Sequence, residues 1–282
     1  MIRRFFIGVV FMLCAAIVVL GQSNLDIPIK TAINQSTQFG VGSMKMTDTY
    51  LSPLEYNGLT LSLMHERLKA SSLLNDKLIF QQQFLLQAAS TKNPIGNANS
   101  YYGNINYQLN GFYPIVTTNS FRLLGGGGAD LSLGGIYNIR NSNNPAQLKT
   151  YANLNASLLA FYKWNLLTLR WQVSSPLMGV FFSPEYGHSY YEIFVLGNDS
   201  GTIHFGFPNN QRGLRNYLTA DYPIGKVTLR AGYLRNYYRT ETNNLLTSLS
   251  SHQFMIGLAF ESLSFGRRDV ENSDWLRSVY ND

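Results

Sequence analysis

The sequence predicts an all-β protein, a single antiparallel transmembrane β-barrel of about ten strands (eight to twelve), with long outer loops and short periplasmic turns. Three observations predict it. Segments of about a dozen residues alternate apolar and polar side chains, the signature of a strand with two different environments on its faces. These segments match the roughly 9–11 residues that a tilted membrane strand needs, whereas ordinary strands average about five or six. The connections between them alternate long and short, as they do in bacterial outer-membrane barrels. Composition agrees: 45% of the residues are apolar, with 18 Tyr and 17 Phe, yet only 13% are charged, against roughly 25% in soluble domains.

The first element is a leader. Arg3 and Arg4 precede an apolar run from Phe5 to Gly21, and Val19 and Gly21 occupy the minus-three and minus-one positions for cleavage before Gln22. Residues 1–21 therefore read as a signal peptide; an uncleaved anchor, which needs about 20 apolar residues, is the competing reading. Cys14, the one cysteine, lies in this run, which excludes disulfides and Cys-based zinc sites from the rest of the chain. Without Arg3 and Arg4 the formal charge falls from +6 to +4, too small an excess to imply a nucleic-acid partner.

Residues 22–265 form the predicted barrel. Its strands are Gln38–Met46, Leu59–Lys69, Lys77–Ala89, Tyr101–Tyr113, Phe121–Tyr137, Ala152–Trp164, Leu166–Phe182, Leu214–Pro223, Lys226–Tyr238 and Gln253–Leu263. In the fourth, Tyr101, Ile105, Tyr107, Leu109 and Tyr113 share one parity, and Asn104, Asn106, Gln108 and Asn110 share the other. With a periplasmic N-terminus the outer connections are Thr47–Gly58, Ser90–Ser100, Arg140–Tyr151, Ser183–Arg212 and Thr240–His252, all long. The inner ones centre on Ser71–Asp76, Val116–Asn119, Asn165 and Ile224–Gly225, all brief. Aromatic residues of the apolar parity fall near strand ends, with Tyr113, Phe121, Trp164 and Tyr222 at the periplasmic rim and Tyr101, Tyr137 and Tyr237 at the outer rim. A soluble periplasmic β-sandwich is the competing architecture. Residues 266–282 read as a charged periplasmic tail, so the barrel-insertion machinery would have to recognise an internal strand ending near Phe260 and Phe265.

The polar parity places Glu66, Arg122, Arg170, Asp221, Arg230 and Glu261 in the lumen, each near the periplasmic end of its strand. Three acids facing three arginines favour a salt-bridged plug over a selectivity filter, which usually shows rings of one sign. Asp130 and Arg215 lie higher and could extend this network. Neutralising Arg170 and Arg230 should then raise a small conductance. The run Gly125–Gly128 lacks the Lys-Ser or Lys-Thr and the helix of a phosphate loop, and reads as a strand bulge, a kink for closure or space beneath an aromatic neighbour.

Candidate chemistry is confined to the fourth outer connection, where His188, Ser189, Glu192 and His204 could make a hydrolytic site, although proximity in sequence does not make a triad. His65, on the lipid-facing parity beside Arg67, reads as a snorkelling pair. No signature argues for a metal or cofactor. Tyr190, Tyr191, Ile193 and Phe194 are too apolar to float in water and should fold over the mouth or form an exposed recognition patch.

Three segments, Asp48-Thr49-Tyr50-Leu51-Ser52-Pro53-Leu54-Glu55-Tyr56, Ser189-Tyr190-Tyr191-Glu192-Ile193-Phe194 and Leu214-Arg215-Asn216, resemble an uncharacterised family of Gram-negative outer-membrane barrels, domain of unknown function 3316. The resemblance covers nearly all of the mature chain and implies location and a β-rich fold, with no activity or site residues to carry over. The expected function is a non-enzymatic narrow solute conduit or a surface-loop binding protein in contact with outer-membrane lipid, with an unknown surface ligand or envelope protein as partner. An outer-membrane lipase, protease or lipid-A-modifying hydrolase using the fourth outer loop is the alternative.

Overall fold

The computed structural model describes residues 32–263 except 72, 73, 75, 76, 143 and 226. The leader at 1–21 and the tail at 266–282 lie outside the described residues, as does Phe265. The strands are β1 (Ala32–Asp48), β2 (Ser52–Ala70), β3 (Ile79–Lys92), β4 (Asn99–Thr117), β5 (Phe121–Asn138), β6 (Ala146–Trp164), β7 (Leu167–Phe182), β8 (Ile203–Gly206), β9 (Gln211–Ile224), β10 (Val227–Thr242) and β11 (Leu245–Leu263). One short helix, α1 (Tyr190–Phe194), precedes β8.

Ten of these strands close a ring. Each pairs antiparallel with its chain neighbour from β1 to β7, β7 pairs with β9, and β9, β10 and β11 follow in order until β11 meets β1, from Ala32↔Leu263 to Asp48↔Thr247. Closure pairs every strand of the ring with a neighbour on both sides, so most backbone polar groups of the wall are satisfied within it; the β7–β9 ladder, which stops at Ser174↔Arg215, is the shortest in the ring. The short β8 lies outside the ring and pairs with the upper end of β7, from Gly179↔Gly206 to Phe182↔Ile203.

All ten predicted strands are present, but most run longer, between 14 and 19 residues. Two predicted long loops are therefore corrected to tight hairpins. The first outer connection is residues 49–51, where Asp48 Oδ1 accepts from Tyr50 N at 3.1 Å and the Asp48 carbonyl accepts from Leu51 N. The fifth is Asn243 and Asn244, both at positive φ (51° and 57°), as a two-residue type I′ turn requires. The Asn243-Asn244 pair is a turn signal within otherwise alternating sequence, whereas Thr49-Tyr50-Leu51 carries none; membrane-spanning length alone misplaced the strand ends. The second and third outer connections, 93–98 and 139–145, are also shorter than predicted, and only the fourth, 183–210, is long. The short turns at the opposite, lower end match the prediction.

Alternation holds along the wall: in β3 every second residue from Ile79 to Thr91 is buried. The buried side is not uniformly polar, however. Leu68, Ile79, Phe112, Leu124, Leu159 and Phe161 pack inside the lower end, Met64, Leu85, Tyr217, Leu234 and Met255 form a second interior cluster, and Met44, Met46, Tyr56, Tyr102, Ile136 and Leu249 belong to a third beneath the upper hairpins. These apolar residues share the inward parity of the polar ones on their strands, as Leu68 does with Glu66 and Phe112 with Asn110.

The glycine run allows close strand approach. A Cβ at Gly126 would lie 1.9 Å from the Gly111 carbonyl oxygen, and one at Gly128 would lie 1.8 Å from that of Leu109, so β4 backbone occupies the space of a side chain. In both cases the obstacle is backbone rather than an overlying aromatic ring.

Candidate functional site in the lumen and the outer loop

Four of the six predicted lumen charges form one buried cluster. Glu66, Arg170, Asp221 and Arg230 come from β2, β7, β9 and β10, each three or four residues from its strand's lower end. Arg170 donates to both carboxylate oxygens of Glu66, and Arg230 Nη1 donates to Glu66 Oε2 at 3.0 Å. Arg230 also grips Asp221 with two bonds, Nε to Oδ1 at 2.7 Å and Nη2 to Oδ2 at 2.6 Å. Two acids and two guanidinium groups leave the cluster neutral, and bidentate geometry is the arrangement in which buried ion pairs best offset desolvation.

Amides complete the cluster. Gln81 and Gln83 donate to Glu66 Oε1 at 2.6 and 2.8 Å, while Arg170 Nη2 donates to Gln172 Oε1 at 2.9 Å. Tyr217 places its ring 5.5 Å from the Arg170 guanidinium carbon and accepts from Gln38. These glutamines carried a sequence signal only as inward-parity residues. Arg122 and Glu261 are not part of the buried cluster: they line a cleft of about 340 Å³ at the lower mouth together with Asp221, Asn34 and Lys163.

Asp130 and Arg215 do not extend the lower cluster. Arg215 Nη2 donates to Asn106 Oδ1 at 2.8 Å, and Asn106 Nδ2 donates to Asp130 Oδ1 at 2.5 Å, forming a separate relay around an upper cavity. An ion pair outside the lower cluster, without a signal in the sequence, joins Lys149 of β6 to Asp48 of β1 at 2.5 Å, with Lys149 also donating to Thr247 at 2.7 Å. Its partners lie in segments read as outer loops, so no lumen parity had been assigned to them. His65 sits on the outer face, with its Nδ1 2.9 Å from Thr37 Oγ1.

The fourth outer loop gives the four candidate catalytic residues other work. Ser189 caps α1 and shares a capping box with Glu192: the Ser189 backbone and hydroxyl donate to Glu192 Oε2 at 2.8 and 2.9 Å, and Glu192 N donates to Ser189 Oγ at 3.2 Å. The backbone carbonyl of His188 accepts from Tyr50 OH at 2.7 Å. His204, on β8, has Nε2 3.0 Å from the Ser183 carbonyl oxygen and Nδ1 3.2 Å from Thr242 Oγ1. The Ser189 hydroxyl thus faces its capping carboxylate, and His204 is tied to the β7 and β10 ends.

The apolar residues of this loop divide between inward-packed and exposed positions. Tyr190 turns inward, accepting from Leu148 N at 2.5 Å and packing edge-on against Tyr50, while Ile193 is buried. Tyr191 and Phe194 remain 61% and 62% exposed. Burial pushes the Tyr190 phenol above its ordinary pKa, so it stays protonated.

The Glu192 carboxyl is held below its ordinary pKa by hydrogen bonds from the Ser189 backbone and hydroxyl. A lowered carboxyl pKa contributes stability that is present above the unfolded value and is lost as pH falls through the folded one. Ser189→Ala is expected to loosen the loop by about 1 kcal/mol, raising its opened population roughly fivefold. Limited proteolysis within 183–210 should speed up accordingly, and wild type should approach the variant's rate only below the ordinary carboxylate range. Equal rates near neutral pH would remove the cap from the account of the loop.

A closed ten-stranded antiparallel barrel with a packed, charge-paired lumen is thus the class of protein that fold and site define. The chain belongs to the family of proteins of unknown function DUF3316, whose model matches residues 9–269. No curated protein matches it. Among solved structures it is similar to the outer membrane protease OmpT from Escherichia coli, with 8% identity over 86% of this chain and 99% of that one and a TM-score of 0.49. The transport unit of the Escherichia coli autotransporter AIDA-I is 12% identical over 87% and 94% of the two chains, with a TM-score of 0.46. The COG4313 outer membrane channel of Pseudomonas putida F1 is 10% identical over 86% and 100%, with a TM-score of 0.40.

Proposed function

We propose that this chain is an outer-membrane barrel that does not conduct solute in the form described and acts through its fourth outer loop as a surface binder. The observation that carries this reading is the filled lumen. At the level of the ion cluster, Glu66, Arg170 and Arg230 are completely buried, and Leu68, Phe112 and Leu159 pack at the same end. A conduit requires a continuous wet path.

Membrane placement is supported by the outer face. On β11 Phe254, Ile256, Leu258 and Phe260 project outward, Phe254 at 73% exposure, and on β2 Leu59, Leu61 and Leu63 do the same. Exposed apolar surface of this extent suits acyl chains better than water. Tyr113, Trp164 and Tyr222 near the lower end and Tyr101 and Tyr137 near the upper end are also exposed, as interfacial residues are. The binding role is supported by the cluster of exposed Tyr191, Phe194, Val195 and Leu196 at α1, with Tyr186 exposed in the same loop.

Purified from detergent-extracted membranes, the protein is expected to migrate differently before and after boiling and to give no stepwise current in planar bilayers. Arg170→Gln with Arg230→Gln should remain silent as well, because the apolar side chains beside them still exclude water. Unitary conductance in the unaltered barrel would return the conduit reading, and loss of heat-dependent mobility would remove the membrane reading.

A further inference from the structure

We propose that the upper lumen contains a binding site for a small neutral polyol, a three-carbon molecule of the glycerol type. This goes beyond surface binding and needs only the closed wall. The upper cavity measures about 70 Å³. A single water needs about 10–15 Å³ of such space, so the cavity is several times larger than one water requires and suits a molecule of a few heavy atoms.

Three polar atoms of residues lining this cavity have no hydrogen-bond partner among the described residues: Gln108 Oε1, Asn155 Oδ1 and Arg215 Nη1. Gln108 and Asn155 are only 1% and 7% exposed, so bulk water does not satisfy their carbonyl oxygens. A buried group left unmatched is costly, and two acceptors beside one donor call for a ligand that both donates and accepts. Hydroxyl groups do both.

Charge selects a neutral occupant. Asp130 and Arg215 contribute one charge of each sign, and Lys149 is already paired with Asp48. Aromatic surface is also available, since Tyr151 and Tyr238, whose ring centroids are 4.7 Å apart, both line the cavity. Such a surface accommodates the C–H face of a polyol.

The wall beside this cavity also contains a weak seam. The β7–β9 ladder ends at Ser174↔Arg215, and on that side β7 next finds a partner at Gly179, on β8, while its other side stays paired with β6. Across the interval, Ser175 Oγ donates to the Gly213 carbonyl at 2.9 Å. Pro176, which has no N–H to contribute, lies 3.0 Å from where a Cβ of Gly213 would stand, and both residues line the cavity. A wall held here by one side-chain hydrogen bond instead of a continuous ladder opens at lower cost than its neighbours, giving the polyol a lateral way in.

Saturation-transfer NMR on the intact, heat-modifiable barrel with millimolar glycerol tests the site. Transfer to the glycerol C–H protons is expected in wild type and should fall at least tenfold in Gln108→Leu. Should that variant fail to give a heat-shifted barrel, propane-1,3-diol, which lacks the central hydroxyl, is expected to bind wild type at least tenfold more weakly than glycerol. No transfer in wild type would show that the cavity holds water alone and overturn the proposal. Equal transfer in wild type and Gln108→Leu, or equal binding of the two alcohols, would overturn it too.

Discussion

Glu66→Leu is expected to destabilise the folded barrel by about 3–5 kcal/mol, the usual cost of removing one partner from a buried ion pair. The estimate belongs toward its upper end because Glu66 receives both Arg170 and Arg230 and also satisfies Gln81 and Gln83. Removing it takes away the carboxylate that Arg170 and Arg230 share, while the Arg230–Asp221 pair stays in place. Urea unfolding of the purified barrel, followed by the boiled and unboiled gel species, measures the loss. A combined variant, Glu66→Leu with Arg170→Met, Asp221→Leu and Arg230→Met, should recover most of it, since well-packed apolar replacements of a whole buried cluster are often neutral. A cost below about 1 kcal/mol for Glu66→Leu would mean that water reaches the carboxylate and that the lower lumen is not sealed.

Gly128→Val is expected to reduce the yield of heat-shifted barrel to near zero. The Cβ would meet the Leu109 carbonyl oxygen at 1.8 Å and Asn110 Cα at 2.8 Å, so the displaced atoms are β4 backbone rather than the end of a flexible side chain. Relieving that clash requires breaking the β4–β5 ladder around Asn110↔Gly128. Gly103→Ala is the matched control, because a Cβ there meets nothing within 4 Å, and its effect should stay within about 0.5 kcal/mol. Comparable folded yields for Gly128→Val and Gly103→Ala would show that β4 and β5 can separate without loss of the barrel.

The difference between those two glycines illustrates what a sequence conveys. Both occupy alternating strands, and although a run of four glycines marks Gly128, only the register of β4 against β5 shows that a carbonyl oxygen stands where its side chain would be. The lumen charges behave similarly. Parity placed Glu66, Arg170, Asp221 and Arg230 on the inner face, where the four side chains meet, because a strand's side-chain period is two wherever the strand goes. Arg122 and Glu261 share that parity but lie lower, at the mouth, where a difference of a few residues in strand end decides between a buried pair and a cleft. The fourth-loop histidines carried no such periodic signal, and their partners came from Tyr50, Ser183 and Thr242, remote or outside the predicted constellation.

From the sequence by itself come ten strands, their inward and outward faces, the short lower turns and the inward parity of the ion cluster, since each depends on repetition along a local segment. The tertiary structure decided that the first and fifth outer connections are hairpins, that the lumen is filled with apolar layers, and that Glu66 meets a guanidinium 104 residues away. Alternation specifies which side of the wall a residue occupies; ring closure and register specify what stands opposite it, and those depend on all ten strands together.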